Sequence, residues 1–393
     1  MTGHDAGAAA YLDHAAAARS DPRVAEAMAA ALREGWASPS ALHGPGARAA
    51  ALVEEARAEV AALVGAEPDE ILFTSGTTES RVTAVRGLLA GAGDARHVVA
   101  SDLEHPAVLW VLGTGDRRDE PWAAVAPDGD GRLDPEAVMA AVRPDTGLVA
   151  LHHGQADLGT VQDAPALVAA ARAARPEVRV HVDAAETAGV LPLDLGVLGA
   201  DAVTLGGPAM GGPPWTAALW VRPGARMHPL MGGGLQEGGK RAGAEAVPGI
   251  AGLGAAARIA RAGMEARARH RRALAARLLD GLLALEGVRR NGPPADARLP
   301  GHVQVSVAGV RGETLALALA GRGVCVSPGS TCTAAADRPA PALEAIGLGP
   351  EWNRGGVLFT LGPEATAAEV AHALSATREV VPALRALGPG APP

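Results

Sequence analysis

Lysine is almost missing from this chain of 393 residues: the sequence holds one, Lys240. Any chemistry that needs a lysine amine must therefore use that position or do without. Aromatic residues are equally scarce, with one Tyr and two Phe, so the core has to be mainly aliphatic. The two cysteines, Cys325 and Cys332, make neither a disulfide framework nor a zinc site, and no metal centre is expected. No apolar run approaches the roughly 20 residues of a membrane helix. Residues 1–10 lack a basic-plus-apolar leader pattern, so the expected location is the cytoplasm. A formal charge of −8 without a long basic run argues against nucleic acid or an anionic membrane as the main partner.

What is present is a chain long enough for a large core, rich in Ala, Gly and Pro. Short apolar runs alternate with helical stretches, which predicts an α/β sheet protein. Strands are expected over residues 70–74, 97–101, 148–152, 179–182 and 202–205, with 217–221 returning antiparallel or at an edge. Asp21-Pro22 opens a helix by a cap and a first-turn proline. Residues 250–285 read as one long helix, with strands 303–307, 324–327 and 357–360 beyond it. A large domain over 15–250 is expected, and a smaller one from 1–14 with 251–393.

The segment Ser75-Gly76-Thr77-Thr78-Glu79-Ser80 sits where a strand turns into a helix. Gly76 permits close backbone approach, and Thr77 with the helix N–H groups can hold an anion. An ordinary helix cap has the same appearance, so the segment is weak evidence alone.

Order and spacing sharpen it. Tyr11-Leu12-Asp13-His14-Ala15-Ala16, Ser38-Pro39-Ser40-Ala41-Leu42-His43, Glu104-His105, His181-Val182-Asp183-Ala184 and Gly329-Ser330-Thr331-Cys332-Thr333 follow the Ser-Gly-Thr block's pattern of motifs. Together they resemble the cysteine desulfurases, in the class V aminotransferase family of pyridoxal phosphate (PLP) enzymes. The resemblance implies an α/β, fold-type I architecture: a mostly parallel sheet between helices plus a smaller C-terminal α+β domain. It implies a dimer, as a homodimer or with a desulfurase paralogue. It assigns His105 to stacking on the cofactor ring, Asp183 to the ring nitrogen, and Gly76 and Thr77 to the phosphate. Cys332 falls on the cysteine that carries a persulfide.

The departures gather in the cofactor pocket. Gly206-Gly207-Pro208-Ala209 stands where the family has Ser-Gly-His-Lys, which puts Ala209 at the Schiff-base position. Ala244 replaces a phosphate-binding threonine. Glu186 replaces a glutamine that donates to the cofactor's phenolic oxygen, so a carboxylate repels that oxygen unless protonated. Gln155-Ala156-Asp157 replaces Asn-Asn-Glu. Leu358 replaces the arginine that clamps the substrate carboxylate, and Arg354 would need a loop rearrangement to stand in for it.

Each lost charge-assisted hydrogen bond is worth roughly 1.5–3 kcal/mol. The expectation is therefore no cofactor, with PLP held non-covalently or through Lys240 as the alternative. Lys240, in a glycine-rich segment resembling the family's interface loop, reads first as an arginine replacement and second as a relocated Schiff-base lysine. The expected function is a pseudoenzyme, scaffold or sulfur-relay partner acting through Cys332 with a sulfur donor or acceptor protein. The alternative is a repurposed pocket acting on a small molecule through His105, Asp183, Glu186 and His153, with His152 and Asp157 adding further basic and acidic groups. Cys325, in an expected strand, reads as a buried apolar residue.

Overall fold

A computed structural model describes residues 10–113, 122–329 and 340–387. Its centre is a seven-stranded sheet, in the spatial order Ile71–Thr74, Ala217–Val221, Ala202–Gly206, Arg179–Asp183, Thr146–His152, His97–Ser101, Trp122–Val125. The last five of these are joined by parallel pairings. Ala217–Val221 is antiparallel to both of its neighbours, so Ile71–Thr74 again runs with the majority. That strand was expected antiparallel or at an edge; it is antiparallel and lies inside the sheet.

The strands that run together are apolar along nearly their whole length, because helices cover both faces. Val149, Val180, Val182, Val203 and Leu205 pack on one side with the helices Gly44–Val64 and Ala164–Ala174. Leu148, Ala150, Ala202 and Leu219 pack on the other with Leu88 and Leu89 of the helix Thr77–Gly91. One consequence decides the location of chemistry. All strands but Ala217–Val221 end on the same edge, and in such sheets ligands bind beyond the carboxyl ends.

The helix Val247–Leu283 belongs to two cores. Its first half, including Ile250, Leu253 and Ala256, packs with the large sheet. Gly254 lies so close to Ala56 that a Cβ there would come within 2.5 Å of the Ala56 backbone. Its second half, Leu274 to Leu282, packs with a three-stranded antiparallel sheet of Gly356–Thr360, His302–Val307 and Val288–Arg290. The N-terminal strand Ala10–Tyr11 pairs with Val324–Cys325 beside this second core, and the helix Ala367–Leu387 closes it. Cys325 is half-buried rather than fully buried. Among the described residues no helix is long and apolar enough to cross a membrane.

Candidate active site at the carboxyl edge of the sheet

A cavity of about 490 Å³ opens at that edge. This is within the usual range for small-molecule sites. Successive strand ends deliver its walls: Glu104 and His105 after His97–Ser101, His152 and Gln155 from Thr146–His152 and its sequel, Asp183 and Glu186 from Arg179–Asp183 and its sequel. Asp13 comes from beside the N-terminal strand, and Leu358 from the smaller sheet. Asp157 is also part of the wall; His153 is not, since its Nδ1 pairs with Thr187 Oγ1 at 2.9 Å. Met210 lies buried outside the cavity and Trp215 is exposed, so neither fills it.

Burial sets the protonation states. His105 Nδ1 accepts from the Ala107 N–H at 3.0 Å, which leaves its proton on Nε2. Desolvation, then the nearby Arg81 charge, lowers its pKa to about 4, so the ring is neutral. Burial would raise the Asp183 pKa, but the charge and hydrogen bond of Arg81 outweigh it and hold the carboxylate ionised. Glu186 goes the other way. Desolvation, against the attraction of Arg81 and with repulsion from Asp183 and Asp157, pushes it up to about 7. Near neutrality it keeps a proton part of the time and can donate as a glutamine does. Asp13 is pushed up to about 6 by desolvation, and burial raises Asp157 too.

Within the wall, His152 Nδ1–H donates to Glu104 Oε1 at 2.8 Å, and from behind it Gln162 Nε2 donates to His152 Nε2 at 3.0 Å. These bonds lock His152 in one tautomer and leave it without a free lone pair. Glu104 Oε2 is buried without a hydrogen-bond partner among the described residues.

Arg81 was not singled out in the sequence. It sits one turn into the helix Thr77–Gly91, and its side chain runs back toward the helix start, as long side chains on helices do. Its Nε donates to Asp183 Oδ2 at 2.6 Å and its Nη1 to Thr77 Oγ1 at 3.0 Å. The available signal was the spacing: a residue four after Thr77 shares its face. The partner, 102 residues away, had no local signature.

Gly76 and Thr77 do not themselves line the cavity; Thr77 reaches it through Arg81. Gly76 has φ +137°, and a Cβ there would meet only the Pro214 carbonyl at 3.7 Å, so backbone conformation rather than space calls for glycine. Ala209 and Glu186 both line a smaller adjoining cavity of about 50 Å³. Lys240 lies elsewhere, in a groove with Arg57, Glu237 and Glu245. Its neighbour Arg241 ties the glycine-rich segment to the helix start through Glu79, Nε to Oε1 at 2.9 Å. Arg354 is exposed and absent from the cavity wall, whereas Leu358 is part of it. Cys332 lies outside the described residues; Gly329, directly before that gap, and Pro341, two residues past its end, both line the cavity.

The sheet order, with a polar cavity at the carboxyl edge beside a smaller C-terminal sheet, defines a fold-type I PLP-enzyme architecture. The model of the family Aminotransferase class-V matches residues 10–372. A cysteine desulfurase of Cereibacter sphaeroides is 38% identical over 382 residues, 96% of this chain and 97% of its own length. Cysteine desulfurase IscS of Dictyoglomus turgidum is 34% identical, covering 96% of each chain. Among solved structures, a NifS-like protein superposes with a TM-score of 0.88 at 30% identity, over 95% of this chain and 99% of that one. The chain belongs to the cysteine desulfurase family of class V aminotransferases.

That kinship overturns one expectation. Cysteine desulfurases are PLP-dependent, so the expectation of no cofactor is corrected: PLP is the cofactor implied for this fold. Individual contacts differ, but the cavity itself is open and keeps His105, Asp183 and Glu186 in its wall. The wall fits the ring of such a group, offering a neutral imidazole face at His105, an ionised carboxylate at Asp183 and a protonatable donor at Glu186. The point of conflict is Arg81, which already occupies Asp183.

Proposed function

We propose that this chain is a member of the cysteine desulfurase family that has given up the lysine-dependent desulfuration of its relatives and acts as a sulfur-relay or scaffold partner. It works as a dimer, with itself or with an intact paralogue. One observation carries the reading: the cavity wall contains no lysine, and the chain's single lysine lines a different groove. Ala209, at the position the resemblance gives to the Schiff-base lysine, offers no amine.

Asp183, His105, Glu186 and Gln155 are the residues that would hold PLP, with Thr77 and the helix start toward its phosphate. When bound, PLP supplies an electron sink for carbanions. The chain's own residues give the ring a charge partner and a flat apolar face, and Glu186 holds a proton near it. The substrate end is less well equipped, because Leu358 is apolar and Arg354 is remote. Cys332 supplies the relay. Gly329 and Pro341, described residues before and after it in the chain, line the cavity, and a persulfide passed from a donor to its thiolate needs no lysine.

The test is a paired assay on the purified protein with added PLP. Cysteine should yield no sulfide above background, and sulfur transfer from a persulfide donor protein should disappear in Cys332→Ser. Sustained sulfide release from cysteine would overturn the reading, and unchanged transfer by Cys332→Ser would remove the relay.

A further inference from the structure

The cavity contains a cation that a pyridine-ring cofactor must displace. Arg81 and Asp183 form a buried pair, their side chains 4% and 7% exposed, with Nε and Oδ2 2.6 Å apart. The other carboxylate oxygen, Oδ1, accepts the Ala185 N–H at 3.0 Å, so both oxygens of Asp183 are engaged. The same guanidinium reaches Thr77, so a single side chain bridges the carboxylate for the ring and the hydroxyl at the helix start. The other groups facing Asp183 do not compete for it. His105 and His181 are both lowered to about 4 by desolvation and are neutral at physiological pH.

We propose that Arg81 is an internal rival of the cofactor's ring nitrogen. It holds Asp183 while the site is empty and must release it before a pyridinium can pair there. This inference deepens the reading above and rests on it for the identity of the ligand. The physical consequence is a population tax. The competent form of the pocket, with Arg81 off Asp183, is a minor state, and the apparent affinity falls by that fraction. With no lysine in the wall to trap the ligand, binding of ring phosphates is weak and reversible. Arg81 is thus a specificity-determining residue that sets how readily a pyridine ring enters this cavity.

The experiment titrates pyridoxine 5′-phosphate, followed by its fluorescence, into the native protein, Arg81→Asn, Asp183→Asn and the double variant. This probe lacks the aldehyde, so its binding depends neither on an amine nor on desulfuration. Failure here and failure of the functional reading are therefore separate results. Arg81→Asn should bind at least tenfold more tightly than the native protein, and adding Asp183→Asn should abolish the gain. Equal or weaker binding by Arg81→Asn, or a gain that survives loss of Asp183, overturns the proposal. If Arg81→Asn does not fold, the native protein decides by nuclear magnetic resonance of the Arg81 Nε–H. Loss of its exchange protection at saturating probe supports the exchange of partners, and retained protection overturns it.

Discussion

Two adjoining regions of the site are built in opposite ways. At the strand ends, Glu104, His105, His152, Gln155, Asp183 and Glu186 bring functional side chains into one space, each held by burial or a hydrogen bond. At the turn after Ala202–Gly206, residues 206–212 read Gly, Gly, Pro, Ala, Met, Gly, Gly and contribute no acid, base or nucleophile. The turn is nonetheless packed. A Cβ on Gly206 would come within 2.5 Å of the Ala185 carbonyl oxygen, and one on Gly207 within 2.6 Å of the Thr216 carbonyl oxygen. The turn is closed around glycine, so a side chain at 206 or 207 requires the backbone to move. The turn offers close packing and no acid, base or nucleophile, while the strand ends hold a cluster of acids and imidazoles with an internal counter-ion, Arg81.

The comparison can be broken most strongly at the strand ends. Asp183→Asn leaves the Arg81 guanidinium buried without its partner, and breaking such a pair typically costs about 3–5 kcal/mol. Urea unfolding should show that loss, and a change below about 1 kcal/mol would mean the pair is weakly coupled to the fold. At the turn, Gly206→Ser should cost about 1–3 kcal/mol by overpacking against Ala185. A neutral result would show that the turn yields easily and that its glycine is incidental.

Glu186 sharpens the comparison through pH. Its folded pKa of about 7 exceeds the ordinary 4.5 of a free glutamate, so the folded state holds a proton that the unfolded state releases. Stability from this group is therefore full below about 4.5 and is lost as pH rises to about 7. Glu186→Gln should flatten that part of the stability profile measured by thermal unfolding, and an unchanged slope would assign it to other groups. Ala209→Lys is the mildest change. Ala209 is half-buried beside the small cavity. The substitution should alter stability little and should leave cysteine desulfuration at background, because Leu358 and the closed turn remain. Recovery of sulfide release by this single variant would show that the lysine was the only element missing.

The sheet was legible in the sequence because its strands, buried on both faces, are short apolar runs between turn signals. The placing of Ala217–Val221 was open because an apolar run states its burial and not its neighbours. Its antiparallel pairing on both sides puts it inside the sheet. Within the site, His105 and Asp183 were legible through motif order. Arg81 was not, since its meaning depends on a contact across 102 residues. Glu186 read as a repulsive carboxylate in sequence; its environment, not its identity, gives it a proton near neutrality. His153, adjacent to His152, was grouped with the cavity, but alternation along the chain turns it toward Thr187.

No lysine of this chain is expected to carry the cofactor. The most direct measurement is incubation with PLP, reduction with borohydride and peptide mapping. The account predicts no stoichiometric pyridoxyl label on Lys240 and loss of any yellow colour on dialysis of an unreduced sample. A stoichiometric pyridoxyl group on Lys240 would contradict it and place a working lysine in the site.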